Sequence, residues 1–199
     1  MTQICLVRHG ETDWNKEGRI QGRTDTPLNS LGRLQAEKCG KYLAKGKWDL
    51  IISSPLVRAK QTAEIISSYL QQPIITLEAF IERDYGETEG LSAAERIIRF
   101  PDRHYPGQES RDSLTKRVME GIGFIHAQYE NKRIILVAHG AVINAILAAV
   151  SNGEIGSGKA RLHNACLSKI QFQAEENKWV YLEYNEVHHL AAEEEGETV

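Results

Sequence analysis

Two short segments of this chain repeat one pattern: an apolar run, then a histidine, then a glycine. The first reads Ile4-Cys5-Leu6-Val7-Arg8-His9-Gly10, and the second runs Ile134–Ala138 into His139-Gly140. Apolar runs this short, closed off by polar residues, read as strands buried on both faces. A glycine just past the strand lets the backbone turn sharply and approach a neighbour closely. A chain with two such strands needs a sheet covered on both sides, which narrows the choice to layered α/β architectures.

The rest of the chain fits that frame. Trp48–Ile52 and Pro73–Leu77 are further strand candidates, and Leu167–Phe172 with Trp179–Tyr184 form a late pair around a turn at Glu175-Glu176-Asn177-Lys178. Helical spacing predicts helices over about Leu31–Ala44, with Leu31, Leu34, Cys39 and Leu43 on one face, and from Pro55 to about Leu70. Two more are expected over about Ser110–Tyr129, with Ser110 as the N-cap, and over Ala141–Val150. The stretch at about 84–110 is broken by Gly86, Gly90, Pro101, Pro106 and Gly107, and reads as a loop or lid insertion. Residues 1–190 are therefore expected to form a single domain, and the acidic tail 191–199 to be disordered. Strand alternating with helix predicts a three-layer α/β sandwich, its sheet mostly parallel but mixed, with helices on both faces.

Composition excludes several function classes. A net charge of −3 lacks the basic signature of nucleic-acid binding. The early apolar stretch is interrupted by Arg8 and Glu11, which argues against a signal peptide, and no window approaches the ~20 apolar residues of a membrane span. The expected compartment is the cytoplasm, with no membrane partner. Cys5, Cys39 and Cys166 are odd in number and widely spaced, which suits neither a disulfide framework nor a zinc site. Cys5 reads as a buried structural thiol. His188-His189 read as a solvated pair, and His104, His126 and His163 lack metal-ligand spacing, so neither metal nor cofactor is expected. P-loop, HExxH and GxSxG patterns are absent from the sequence.

In open α/β sheets ligands bind beyond the carboxyl ends of the strands. His9 and His139 both fall there, and Arg58, in Ser53-Ser54-Pro55-Leu56-Val57-Arg58-Ala59, follows a third strand to the same edge. Arg8 and Arg58 would be costly to bury without a counter-charge, and a bound anion supplies one. Guanidinium forks suit phosphate oxygens. An empty pocket of this kind would be repulsive, so Arg58→Ala is expected to leave the ligand-free fold no less stable. Phosphoryl transfer needs positioning and charge cancellation, which Arg8, Arg58 and His139 could supply. His9 could attack phosphorus through an unprotonated nitrogen. A carboxylic acid must protonate the leaving alkoxide, and periodicity does not choose which.

The segment Leu6-Val7-Arg8-His9-Gly10-Glu11-Thr12-Asp13-Trp14-Asn15 resembles the signature of the histidine phosphatase superfamily, the phosphoglycerate mutase-like group. Four further segments resemble that family in the same order: PLNSLGRLQAE, SSPLVRAKQTAE, FIERDYGETEG and VAHGAVI. The resemblance implies a phosphoglycerate mutase-like fold and assigns roles. His9 matches the phosphorylated histidine; Arg8, Arg58 and His139 match the phosphate pocket; Glu82 matches the proton donor that later activates water. Asn15 and Gln21 match positions near the transferred phosphate, with Gly22 and Gly140 bordering them, and Arg83 and Tyr85 would contact the rest of the substrate. The stretch between Glu82 and His139 lacks the longer basic insertion of the mutases, and Pro106-Gly107-Gln108-Glu109-Ser110 resembles a substrate-loop element of the phosphatase branch. Together they imply a metal-independent phosphatase acting on a small phosphorylated metabolite, as monomer or homodimer. Glu82-Arg83-Asp84-Tyr85-Gly86 resembles the mutase form of its motif and keeps a mutase reading open. A third reading, a phosphate-binding module without catalysis, would require a damaged constellation.

Overall fold

The computed structural model describes residues 1–156, 159 and 161–191. Six strands form one sheet: β1 (Gln3–Arg8), β2 (Leu50–Ser53), β3 (Ile74–Thr76), β4 (Arg133–Ala138), β5 (Leu167–Gln173) and β6 (Lys178–Glu186), in the order β3-β2-β4-β1-β5-β6. The first four in that order run parallel, and β5 and β6 join antiparallel as a hairpin. Alternation inside β1 separates the layers. Ile4 and Leu6 face a core shared with helices α5 (Arg111–Gln128) and α6 (Gly140–Val150). Cys5 and Val7 face the core beneath α2 (Ser30–Leu43) and α3 (Val57–Leu70). This is the expected three-layer sandwich with a mixed sheet.

Helix α2 buries a different face from the one its leucines suggest. Gly32, Ala36, Cys39, Gly40 and Leu43 turn inward, while Leu31 and Leu34 are about half exposed, at 47% and 48%. Close approach explains the choice: a Cβ on Gly40 would stand 2.4 Å from the Tyr69 ring of α3. Small residues let the two helices meet, and bulkier leucines are displaced outward. Helix α3 begins at Val57 rather than Pro55, because Leu56 remains extended as its N-cap. Trp48 lies before β2, donating from Nε1 to the Leu43 carbonyl at 2.9 Å.

Residues 84–110 hold a 3-10 turn at Gly86–Thr88, the short helix α4 (Ala93–Arg99) and connecting loops. Their backbone is tied to the loop after the four-residue helix α1 (Asp13–Lys16): Gly90 donates to the Ile20 carbonyl at 2.7 Å, and Ile20 to that of Leu91 at 3.1 Å. The expected disorder of the acidic tail falls on residues 192–199, outside the described residues. Among the described residues, no helix is long and apolar enough to cross a membrane. All three cysteines are buried and unpaired, and burial pushes the Cys5 thiol up to about 12. The terminal histidine pair is only half solvated: His188 is exposed, but the ring of His189 packs on Tyr42, 3.2 Å from Cys39 Sγ.

Candidate active site

β1 and β4 are parallel neighbours in register, Arg8 opposite Ala138. Each strand's next residue is a histidine, so the sheet itself brings His9 and His139 together, their rings 5.3 Å apart. β2 flanks β4 on the other side, and Ser54, just past its end, places Oγ 2.6 Å from His139 Nε2. Both histidines are buried.

The loop carrying His9 is pressed into place by the start of α2. A Cβ on Gly10 would lie 2.3 Å from the Gly32 carbonyl oxygen, and one on Gly32 would lie 2.1 Å from that of Glu11. Asn29 donates through its backbone to the Glu11 carbonyl at 3.0 Å and through Nδ2 to Oε1 at 2.9 Å. The segment PLNSLGRLQAE thus clamps the His9 loop.

His9 places Nδ1 2.7 Å from the Gly10 carbonyl. A carbonyl oxygen only accepts, so Nδ1 carries the proton and Nε2 keeps its lone pair. Burial, then Arg58, then Arg8 hold the His9 ring well below its usual basicity, against a smaller opposing effect of the Gly10 hydrogen bond. Burial and the same arginines, with His9, lower His139 likewise. Both rings are therefore neutral at neutral pH, and His139 offers the site hydrogen-bonding capacity rather than a fixed charge. Its Nδ1 is buried without a partner.

A cavity of about 360 Å³ opens over His9, lined among others by Arg8, Asn15, Gln21, Gly22, Arg58, Glu82, Tyr85 and Gly140. Arg8 and Arg58 each keep a buried Nε without a partner. Arg58 is not loose, however. Its guanidinium donates to the carbonyls of Thr24 at 2.9 Å and Gly22 at 2.6 Å, so it also ties down a loop. The expectation that Arg58→Ala leaves the ligand-free fold no less stable did not count these two bonds. Asn15 and Gln21 turn their carbonyl oxygens inward: Asn15 Oδ1 accepts from Asn164 Nδ2 at 3.1 Å, and Gln21 Oε1 from Thr12 Oγ1 at 2.8 Å. Their amide NH₂ ends are the ones left for the cavity. Glu82 sits at the start of α6, where Oε2 accepts from Ala141 N at 3.1 Å and Oε1 from Val142 N at 3.3 Å. Two expected residues are not on this lining: His139 is fully buried beside His9 and Ser54, and Arg83 lines an adjoining cavity.

Three supporting residues were not marked by the sequence. Arg117, on α5, donates to the carbonyls of Ala79, Ile81 and Glu82 at 2.8, 2.8 and 3.2 Å. Glu109 holds that guanidinium by a double ion pair at 2.7 and 2.9 Å. Glu89 accepts from the amides of Arg23, Thr24 and Tyr85, bolting the loop that receives Arg58 to the loop that follows Glu82. Glu109 belongs to the Pro-Gly-Gln-Glu-Ser element, yet its partner lies two helical turns away and leaves no local pattern.

A mixed sheet whose parallel strands end in paired histidines, ringed by arginines and one capped carboxylate, defines an α/β protein built to handle phosphate. The chain belongs to the histidine phosphatase superfamily (branch 1), whose family model matches residues 4–186. It is 49% identical over 191 residues to the uncharacterized phosphatase PhoE of Bacillus subtilis (strain 168), covering 96% of this chain and 98% of that one. It is also 34% identical over 205 residues to the probable phosphoglycerate mutase GpmB of Proteus mirabilis (strain HI4320), covering 96% and 95%. Among solved structures, YhfR of Bacillus stearothermophilus superposes with a TM-score of 0.89 at 26% identity, over 96% of this chain and all of that one.

Proposed function

We propose that this protein hydrolyses small phosphate monoesters without a metal ion, through a phosphohistidine on His9. The carrying observation is the Gly10 carbonyl against His9 Nδ1, which leaves Nε2 free to attack inside an arginine-lined cavity. Arg8 and Arg58 bind the phosphoryl oxygens by charge-assisted bonds, with Asn15, Gln21 and His139 adding neutral donors. His9 Nε2 attacks phosphorus in line; the ester P–O bond breaks and the leaving oxygen takes a proton from Glu82. A water then gives its proton back to Glu82 and attacks phosphorus, and the N–P bond breaks to release inorganic phosphate. Gly22 and Gly140 border the phosphate, and Tyr85 borders the leaving group.

The likeness to the protein named a probable phosphoglycerate mutase supports a second reading, in which an acceptor hydroxyl replaces the water. One experiment separates both from a non-catalytic module. Protein held in excess chelator is mixed with a phosphate monoester carrying labelled phosphorus and quenched in base at early times. The expected result is an acid-labile label on His9, absent from His9→Ala, that decays to inorganic phosphate. Label transferred to added phosphoglycerate in preference to water selects the mutase. Turnover that requires a divalent ion, or label on His139, overturns the mechanism.

A further inference from the structure

Helix α1 carries Asn15 but has little of its own to hold it in place. It is four residues long and buries none of them. Its capping box joins Asn15 only to Thr12: Thr12 N lies 3.2 Å from Asn15 Oδ1, and Asn15 N lies 3.2 Å from Thr12 Oγ1. A backbone N–H only donates, so the Asn15 amide must turn its oxygen towards Thr12. These local bonds orient the amide within α1, yet they do not set where α1 stands relative to His9.

A side chain from the far end of the sequence supplies that placement. Asn164 precedes β5, and its Nδ2 donates to Asn15 Oδ1 at 3.1 Å and to the His9 backbone carbonyl at 3.2 Å. Neither acceptor carries a proton, so both hydrogens of Nδ2 are committed. Among the described residues, Asn164 gives the Asn15 side chain its only hydrogen bond from outside the capping box. The two ends of this bridge differ. The His9 carbonyl also accepts from Ala165 N at 3.2 Å, so it keeps a holder without Asn164, whereas Asn15 keeps only its own turn.

The turn that presents Asn164 is held against its backbone preference. Ala165 has φ 57°, in the left-handed region that alanine seldom occupies. It is fully buried, and its carbonyl is secured from behind: it accepts from Cys39 Sγ at 3.2 Å and lies 3.0 Å from His189 Nε2. Cys166 N closes the turn on the His163 carbonyl at 3.3 Å. Strained backbone persists only where the surroundings over-determine it, and such residues cluster at functional sites.

We infer that Asn164 is a positioning residue of the phosphoryl site, which braces Asn15 against the His9 loop so that Asn15 Nδ2 meets a phosphoryl oxygen while His9 Nε2 meets phosphorus. The inference rests on the phosphatase reading above. Asn164 itself lines neither cavity, so it acts through Asn15, which does line the first.

Competitive inhibition by orthovanadate tests it. Vanadate adopts the five-coordinate shape of a phosphoryl group in transfer, and an inhibition constant does not depend on what fraction of a preparation is folded. Asn164→Leu removes both donors at similar size. It should raise the inhibition constant about tenfold, as the loss of one well-aimed hydrogen bond to a charged group gives, and Asn15→Ala should do the same. Added to Asn15→Ala, Asn164→Leu should raise it by less than about twofold more, because no amide is left to aim. Two independent supports would instead multiply their losses. Losses that multiply, or a wild-type constant in Asn164→Leu, overturn the inference and leave the phosphatase reading intact. Asn164→Ala carries the same comparison if leucine prevents folding; if neither variant folds, Asn164 serves stability and the inference falls. A wild type that neither hydrolyses p-nitrophenyl phosphate nor binds orthovanadate overturns the phosphatase reading and this inference with it.

Discussion

The Gly10 carbonyl fixes the proton of His9 on Nδ1, and burial beside two arginines keeps Nε2 unprotonated, as the proposed nucleophile requires. The same lowering has a cost at acid pH. Free histidine titrates near 6.5, and both buried rings are held below that value. Between the lowered values and about 6.5 the unfolded chain binds more protons than the folded one. Stability therefore falls as pH drops through that window, by up to about 1.4 kcal/mol per pH unit for each ring. Urea unfolding of the ligand-free protein at several points between pH 5 and 7.5 should show this fall, and His139→Gln should flatten it. An equal slope in the variant would mean that His139 titrates alike in both states. For catalysis the prediction runs the other way: the nucleophile stays competent below pH 6.5, so the acid limb of kcat/KM on p-nitrophenyl phosphate should not coincide with an ordinary histidine.

At the scale of elements, α5 and α6 grip the Glu82 segment from two sides, Arg117 through backbone carbonyls and the start of α6 through Ala141 and Val142 amides. Arg117 lines neither cavity, so it acts by position. Arg117→Met should slow hydrolysis of an alkyl phosphate at least about tenfold more than that of p-nitrophenyl phosphate, since proton donation, typically worth about 10²–10⁴-fold, matters most for a basic leaving group. Glu109→Gln should follow the same pattern more weakly. An equal loss on both substrates would assign Arg117 to stability alone. Such supports were hidden in the sequence for a physical reason. Strands β1 and β4 were legible because continuous apolar runs have few other fates, and the paired histidines followed from them. Glu82 was legible only through family resemblance. Arg117, Glu109 and Glu89 act on backbone atoms far along the chain, and any sequence supplies those. The expected face of α2 was half right: Cys39 and Leu43 are buried, but Leu31 and Leu34 are displaced outward because close packing here favours glycine and alanine.

For the whole molecule, the site gathers donors and acceptors that the protein itself does not satisfy: two arginine Nε atoms and one histidine nitrogen are buried without partners. Inorganic phosphate should bind the folded state and stabilise it by mass action, about 2.7 kcal/mol at a hundred times its dissociation constant. For a domain of this size that corresponds to roughly 5–10 °C in Tm. Arg58→Ala should forfeit most of that shift. It should also lower the ligand-free Tm, because the bonds to Gly22 and Thr24 are lost at about 1–3 kcal/mol. Thermal melts with and without phosphate measure both. A variant as stable as the wild type would show those two bonds to be idle.

The sheet order also governs how the protein comes into being. β1 is made first, but its hydrogen-bonding partners are residues 133–138 on one side and 167–171 on the other. At about 5–20 residues per second, an apolar strand waits unpaired on the ribosome for roughly ten seconds to half a minute. Pairings this distant in sequence close slowly. His9 is thus synthesised well before the strand that sets His139 beside it, and a chain interrupted before β4 carries the proposed nucleophile with no pocket around it.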